Sequence, residues 1–169
     1  MRFLILFIFL TTNVFAKDVS EIKNIVIHKD LKVYDNVIFL DKNDKKINIK
    51  EFNGNLLLLN FWATWCEPCK EEMPSLDRLQ INENFSNLKI FAINISQENK
   101  KKVDSFFKDL NIKNFDPYFD APTTLAKTFS LRGIPTSILI DKDGKEFSRI
   151  IGSIDFDDKI FINWLKTYN

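Results

Sequence analysis

A continuous apolar run, followed closely by two cysteines, constrains the fold of this 169-residue chain most strongly. The run is "NLLLLNF", residues 55–61, and it has the pattern of a strand buried on both faces. A helix is predicted next, from about residue 66 to residue 81 with Pro74 inside it, and "LKIFAINI", residues 88–95, predicts a second buried strand. A strand, a helix and a strand in this order predict a right-handed parallel crossover.

The remaining segments complete a single α/β domain at residues 34–169. "NVIFL" and "INIKEF" predict an N-terminal hairpin. Residues 97–110 predict an amphipathic helix, "FDPYF" a short strand and residues 122–129 a short helix. "TSILI" and "EFSRII", joined by "DKDG", predict a second hairpin, and residues 155–168 predict a closing helix. Residues 17–33 are predicted to be a polar leader that contains the only histidine, His28, at the surface.

The first 16 residues, "MRFLILFIFLTTNVFA", form a separate segment. One early cation, Arg2, precedes eight apolar residues, and the segment ends in Ala16, which predicts a secretory signal peptide. The alternative is an uncleaved anchor, although a typical membrane span has about 20 apolar residues. We therefore expect export to the periplasm or the outer face of the cytoplasmic membrane, with membrane contact only if the segment is uncleaved. Thiols tend to be oxidised there.

The charges of the chain are nearly balanced, with 24 Lys and Arg against 23 Asp and Glu residues. Its Lys-rich runs are interleaved with acidic residues or Asn, so no face basic enough to bind nucleic acid is predicted. An apolar fraction of 45% is sufficient for a folded core. We expect the domain to act as a monomer.

The two cysteines of the chain, Cys66 and Cys69, stand two residues apart in "CEPC". As a structural staple, such a bridge closes a very short loop and adds little stability. As half of a zinc site, the pair needs two more ligands, and the only histidine lies in the leader. A redox role fits better, because C-x-x-C follows the first strand of a strand–helix–strand unit. We predict a redox-active disulfide between Cys66 and Cys69, with no metal and no cofactor.

The predicted helix assigns different roles to the two sulfurs. Cys66 stands at the helix N-terminus, where unpaired N–H groups stabilise a thiolate, so it is expected to attack while Cys69 resolves. Glu67, between the sulfurs, disfavours the thiolate and favours a reductant. Glu72 lies on a helical face next to that of Cys69, so it either exchanges a proton with the pair or is a solvated surface residue.

Two motifs, "NFWATWCEPCKEEMPSL" and "RGIPTSILIDKDG", resemble the thioredoxin superfamily and, within it, the exported TlpA/ResA/DsbE-like thiol-disulfide oxidoreductases. The resemblance extends from about residue 34 to the C-terminus. It implies a thioredoxin-like fold, with a central mixed sheet flanked by helices, an N-terminal β-hairpin and a helix–strand insert in the core. It also implies that Cys66 is the nucleophile, Cys69 the resolving cysteine and Glu72 the active-site acid.

The resemblance further implies which residues surround the pair. Pro135 in "GIP" matches a cis-proline that faces the disulfide, and Ile134 would offer its backbone to an extended substrate strand. Trp62 and Trp65 would wall the site. Asn60 stands where cytosolic thioredoxins have a buried aspartate. The expected substrate-binding residues are Trp65, Glu67, Pro68, Ile134 and Pro135.

The leading functional hypothesis is a reductase of protein disulfides in the cell envelope. A membrane thiol-electron donor would restore the dithiol, and the resemblance favours apocytochrome c, in cytochrome c maturation, as the disulfide-bearing partner. Two alternatives stay open. The same exchange could run as net oxidation, or the two thiolates could carry Cu(I) in a copper carrier or metal-site assembly factor.

Overall fold

The computed structural model of the protein describes residues 19–169, whose eight strands form one mixed sheet. The strands are β1 (Ile25–Val33), β2 (Ile38–Leu40), β3 (Lys46–Asn48), β4 (Leu56–Trp62), β5 (Leu88–Asn94), β6 (Pro117–Phe119), β7 (Thr136–Ile140) and β8 (Lys145–Ile151). The helices are α1 (Glu67–Gln80), α2 (Lys100–Asp109), α3 (Leu125–Thr128) and α4 (Lys159–Leu165). The strand order is β1-β8-β7-β4-β5-β6-β2-β3, with β4, β5 and β6 mutually parallel. The predicted mixed sheet, hairpin β2–β3 and insert of α2 and β6 are confirmed.

Strand β4 is buried throughout because its two faces pack against different layers. Leu56 and Leu58 join the core that includes residues of α1, α2 and α4. Leu57 and Leu59 join the core that includes residues of the hairpin and α3. Because side chains alternate along a strand, Asn60 shares the face of Leu58 and lies towards α1.

The polar stretch predicted as a leader is part of the sheet from residue 25 onwards. It forms β1, which pairs antiparallel with β8 at the sheet edge, so the predicted boundary at residue 34 is wrong. An edge strand has one neighbour and keeps most of its side chains exposed, which removes the pattern that reveals a strand. The signal peptide predicted for residues 1–16 lies outside the described residues. Within residues 19–169, no helix has the length and apolarity of a membrane span.

His28, predicted at the surface, is instead a partly buried residue of β1 that contacts Glu146 of β8. Its Nε2 lies 2.6 Å from Oε1 of Glu146, whose side chain is 0% exposed. Arg149 contacts the same carboxylate through Nε at 2.7 Å and Nη2 at 2.9 Å, and the Tyr34 hydroxyl also donates to it. A buried carboxylate needs such partners. Through the contact with His28, Glu146 connects β1 to the rest of the sheet.

Candidate active site

Cys66 and Cys69 lie where β4 leads into α1. The turn at residues 63–66 is closed by the Cys66 N–H, which donates to the Ala63 carbonyl at 3.2 Å, and Cys66 caps the N-terminus of α1. The Cys66 sulfur accepts a hydrogen bond from the Cys69 N–H at 3.3 Å. Pro68 stands in the first helical turn, where its missing N–H leaves no helical bond unmade. The sulfur of Cys66 therefore faces the positive end of a helix, which favours its thiolate once the pair is reduced.

The two sulfurs form a disulfide and differ in their access to solvent. Cys69 is 0% exposed, whereas Cys66 is 4% exposed and follows the exposed Trp65. This difference supports Cys66 as the attacking sulfur and Cys69 as the resolving one, roles that stay predictions. Glu67 and Pro68 are exposed between them, and Glu67 pairs with Lys70 at 2.8 Å. Within residues 19–169, no three His, Cys, Asp or Glu side chains come together as a metal site.

Glu72, one turn beyond Cys69 on α1, is buried and only 2% exposed. Burial removes its carboxyl group from water and raises the pKa to about 8, although the Asn60 side chain and the Ile154 backbone act in the opposite direction. Asn60 Nδ2 donates to Glu72 Oε1 at 2.7 Å and to Ser137 Oγ at 3.0 Å. Glu72 Oε2 and Asn60 Oδ1 are buried without a hydrogen-bonding partner among the described residues. This carboxyl can therefore hold or release a proton near neutral pH.

A cleft of about 420 Å³ lies beside α1, and Glu72 is one of its lining residues. Neither cysteine lines it. Glu71, predicted to be solvated, is exposed at its rim. The cleft therefore borders Glu72 and does not reach the disulfide. The lining residues are Glu71, Glu72, Pro74, Ser75, Arg78, Ser153, Ile154 and Asp155.

A second, mainly apolar pocket of about 280 Å³ lies beside the loop that contains the cis peptide bond Ile134–Pro135. Trp65 forms part of its wall and is 65% exposed. The backbone N–H and C=O of Ile134 form no hydrogen bond within residues 19–169, so they remain available to an extended strand. The lining residues are Trp65, Ile95, Ala126, Leu131, Arg132, Gly133 and Ile134.

Trp62 does not wall the site. It is 0% exposed and stacks on Phe106, with 4.8 Å between ring centroids, so it is a core residue. A further contact, not predicted from the sequence, reaches the turn at residues 63–66. Glu98, between β5 and α2, accepts a hydrogen bond from the Thr64 N–H at 2.9 Å. The topology contained the signal, because the carboxyl ends of parallel neighbours such as β4 and β5 meet at one edge of the sheet.

Comparison with known proteins gives the family of the chain. The Redoxin family model matches residues 18–158. The chain belongs to the Redoxin family. Its likeness to TlpA/ResA/DsbE-like proteins is confirmed by the thiol-disulfide oxidoreductase ResA of Bacillus cereus, which is 38% identical over 117 residues. That match covers 69% of this chain and 66% of the relative, so it spans just under two thirds of the relative's length.

Two solved structures confirm the thioredoxin-like fold of this Redoxin family member. StoA from Bacillus subtilis has a TM-score of 0.64 at 25% identity, with 80% of this chain and 97% of StoA covered. A Chlorobium tepidum protein provisionally designated thiol:disulfide interchange protein DsbE has a TM-score of 0.71 at 21% identity. That comparison covers 82% of this chain and 97% of the other.

Proposed function

We propose that the protein is a thiol-disulfide oxidoreductase that reduces disulfides of client proteins through Cys66 and Cys69. The observation that carries this proposal is the cysteine pair at the start of α1, beside an apolar pocket and the unpaired backbone of Ile134. A client strand could pair with Ile134 and place its own disulfide against the Cys66 sulfur. Membership of the Redoxin family and the likeness to ResA support the same chemistry.

The exchange moves two electrons from the protein to the client, whose two sulfurs take up one proton from the Cys69 thiol and one from solvent. The Cys66 thiolate attacks one client sulfur, a mixed disulfide forms, and the first client sulfur leaves as a thiolate that takes up a proton. The Cys69 sulfur then loses its proton and attacks the Cys66 sulfur, which closes the Cys66–Cys69 disulfide and releases the second client sulfur as a thiolate that takes up the second proton. We propose that Glu72 accepts the proton of the Cys69 thiol, because the pKa of this buried carboxyl, about 8, is close to that of a thiol. Trp65 would hold the client during both steps.

The site of action and the client are finer parts of the same proposal. The pattern of residues 1–16 supports export to the periplasm or the outer membrane face. A reductant in an oxidising compartment needs an electron supply, so we propose a membrane thiol-electron donor as a partner. The likeness to ResA-type sequences makes apocytochrome c the first client to test.

The reduction potential of the Cys66–Cys69 couple tests the direction of the proposed reaction. We expect a value nearer to that of thioredoxin, about −270 mV, than to that of DsbA, about −120 mV. Glu67 contributes to this expectation, since a negative charge between the sulfurs disfavours the thiolate form. Equilibration of the purified protein with dithiothreitol or glutathione buffers gives the potential. A value near that of DsbA would make the protein an oxidant and would overturn the reductase assignment.

The Trp65→Ala variant tests whether the apolar pocket binds clients. We expect the KM for a protein disulfide such as that of insulin to rise about tenfold, because a client covering the exposed indole buries apolar surface worth more than about 1.4 kcal/mol. Reduction of the protein by dithiothreitol should stay unchanged, since a small reductant does not need the pocket. Ile81→Ala is the matched control, because Ile81 is 63% exposed just beyond the other end of α1. An unchanged KM for Trp65→Ala would remove this pocket from the proposal.

A further inference from the structure

The turn at residues 63–66 carries both the exposed indole of Trp65 and the attacking Cys66. Its own hydrogen bond joins the first and last residues, while Thr64 and Trp65 occupy its centre. Thr64 is 7% exposed, so its polar groups need partners within the protein. Two of these groups, the backbone N–H and the side-chain hydroxyl, donate to the carboxylate of Glu98.

Both carboxylate oxygens of Glu98 accept hydrogen bonds. Oε2 accepts from the Thr64 N–H at 2.9 Å and from Asn94 Nδ2 at 2.8 Å. Oε1 accepts from the Thr64 hydroxyl and from Lys102 Nζ at 2.6 Å. Burial by itself would raise the pKa of Glu98, but the bonds from Lys102, Thr64 and Asn94 lower it to about 2. The carboxylate therefore stays ionised throughout the pH range in which thiols exchange.

Stabilisation of α2 does not account for this arrangement. The N-terminus of α2 is already capped by Asn99, whose side chain accepts from the Lys101 N–H at 2.9 Å. Glu98 makes one bond to α2, the ion pair with Lys102, whose side chain is 59% exposed. Two of its other bonds are to Thr64, which lies in the turn at residues 63–66 and is 34 residues earlier in the chain.

We propose that Glu98 is a positioning residue for client exchange: through Thr64, it holds the turn from which Trp65 forms part of the wall of the apolar pocket. This inference rests on the proposed oxidoreductase function and adds to it a residue that touches neither client nor sulfur. A charge-assisted pair of bonds fixes the backbone N–H and the hydroxyl of one turn residue, and a displacement of about 1 Å in a docking group is enough to slow a reaction markedly.

The Glu98→Ala variant tests this proposal. We expect the KM for reduction of insulin to rise about tenfold, with the rate of reduction by dithiothreitol unchanged within about twofold. Glu98→Gln should recover most of the wild-type KM, because its amide oxygen can still accept from the Thr64 N–H. Asp104→Ala is the control, since it removes one negative charge from an exposed position on α2.

Three outcomes would overturn the proposal: an unchanged KM in folded Glu98→Ala, an equal fall in the insulin and dithiothreitol reactions, or no recovery in Glu98→Gln. If Glu98→Ala fails to fold, Thr64→Val decides. It removes the hydroxyl bond and keeps the N–H bond, so a KM increase of about threefold supports the proposal and a wild-type KM overturns it. Failure of the oxidoreductase function itself is distinguishable, because the wild-type protein would then reduce neither insulin nor any other disulfide.

Discussion

The Cys66→Ser variant is expected to lose reduction of protein disulfides by at least about 1,000-fold, the scale of loss on removing a nucleophile. Serine has no sulfur, so residue 66 can no longer form a mixed disulfide with a client. Cys69→Ser should also stop turnover, but after the first step. Its Cys66 sulfur can still attack a client, and the resulting mixed disulfide should accumulate because the resolving sulfur is absent.

Each cysteine variant is the control for the other. Non-reducing electrophoresis followed by mass spectrometry of the trapped species measures the expected difference and identifies the client. Cys69→Ser should capture proteins through Cys66, whereas Cys66→Ser should capture none. Capture by Cys66→Ser alone would reverse the assigned roles, although Cys66 is the sulfur with 4% exposure and Cys69 has none. Full activity in both variants would refute the proposed chemistry.

The Glu72→Gln variant is expected to change both the pH dependence of stability and the rate of exchange. In the folded protein, burial raises the pKa of Glu72 to about 8, whereas its ordinary value is 4.5. Between these two values the folded state holds one more proton than the unfolded state. The contribution of Glu72 to stability is therefore complete below pH 4.5 and falls by about 1.4 kcal/mol per pH unit until about pH 8.

Denaturant unfolding of the oxidised protein at several pH values measures this effect, because disulfide-bonded sulfurs do not titrate. Glu72→Gln should flatten the decline between pH 5 and pH 8 and so gain a few kcal/mol relative to wild type at the higher pH. Glu71→Gln is a matched control on the same helix, since Glu71 is exposed. An identical pH dependence in wild type and Glu72→Gln would contradict the buried, protonated state of this carboxyl.

The same variant tests the proton transfer assigned to Glu72. An amide cannot take a proton from Cys69, so we expect exchange with insulin to slow by about 100-fold, within the range usual for general acid–base catalysis. The rate profile should also lose the ionisation near pH 8. Stopped-flow measurements from pH 5 to pH 9 show both effects. If Glu72→Gln and Glu71→Gln are equally fast, Glu72 has no part in proton transfer.

The sequence by itself determined the centre of the fold and the place of the cysteine pair. The apolar run that became β4 and the "CEPC" motif after it are local signals, because burial on two faces and a helix start each leave a pattern within a few residues. Strand β1 left no such pattern, since its exposed edge position relaxes the alternation of its side chains. The sequence does not distinguish Trp62 from Trp65, yet Trp62 lies in the core and Trp65 on the surface.

Only the tertiary structure decided the electrostatics of the site. The helical spacing predicts that Glu72 lies near Cys69. The burial of Glu72 and its contact with Asn60, which set the pKa of Glu72, leave no pattern in the sequence. The Glu98–Thr64 contact likewise exists because parallel β4 and β5 end side by side. Charges and hydrogen bonds act between groups distant in the chain, whereas the patterns that a sequence displays are those of near neighbours.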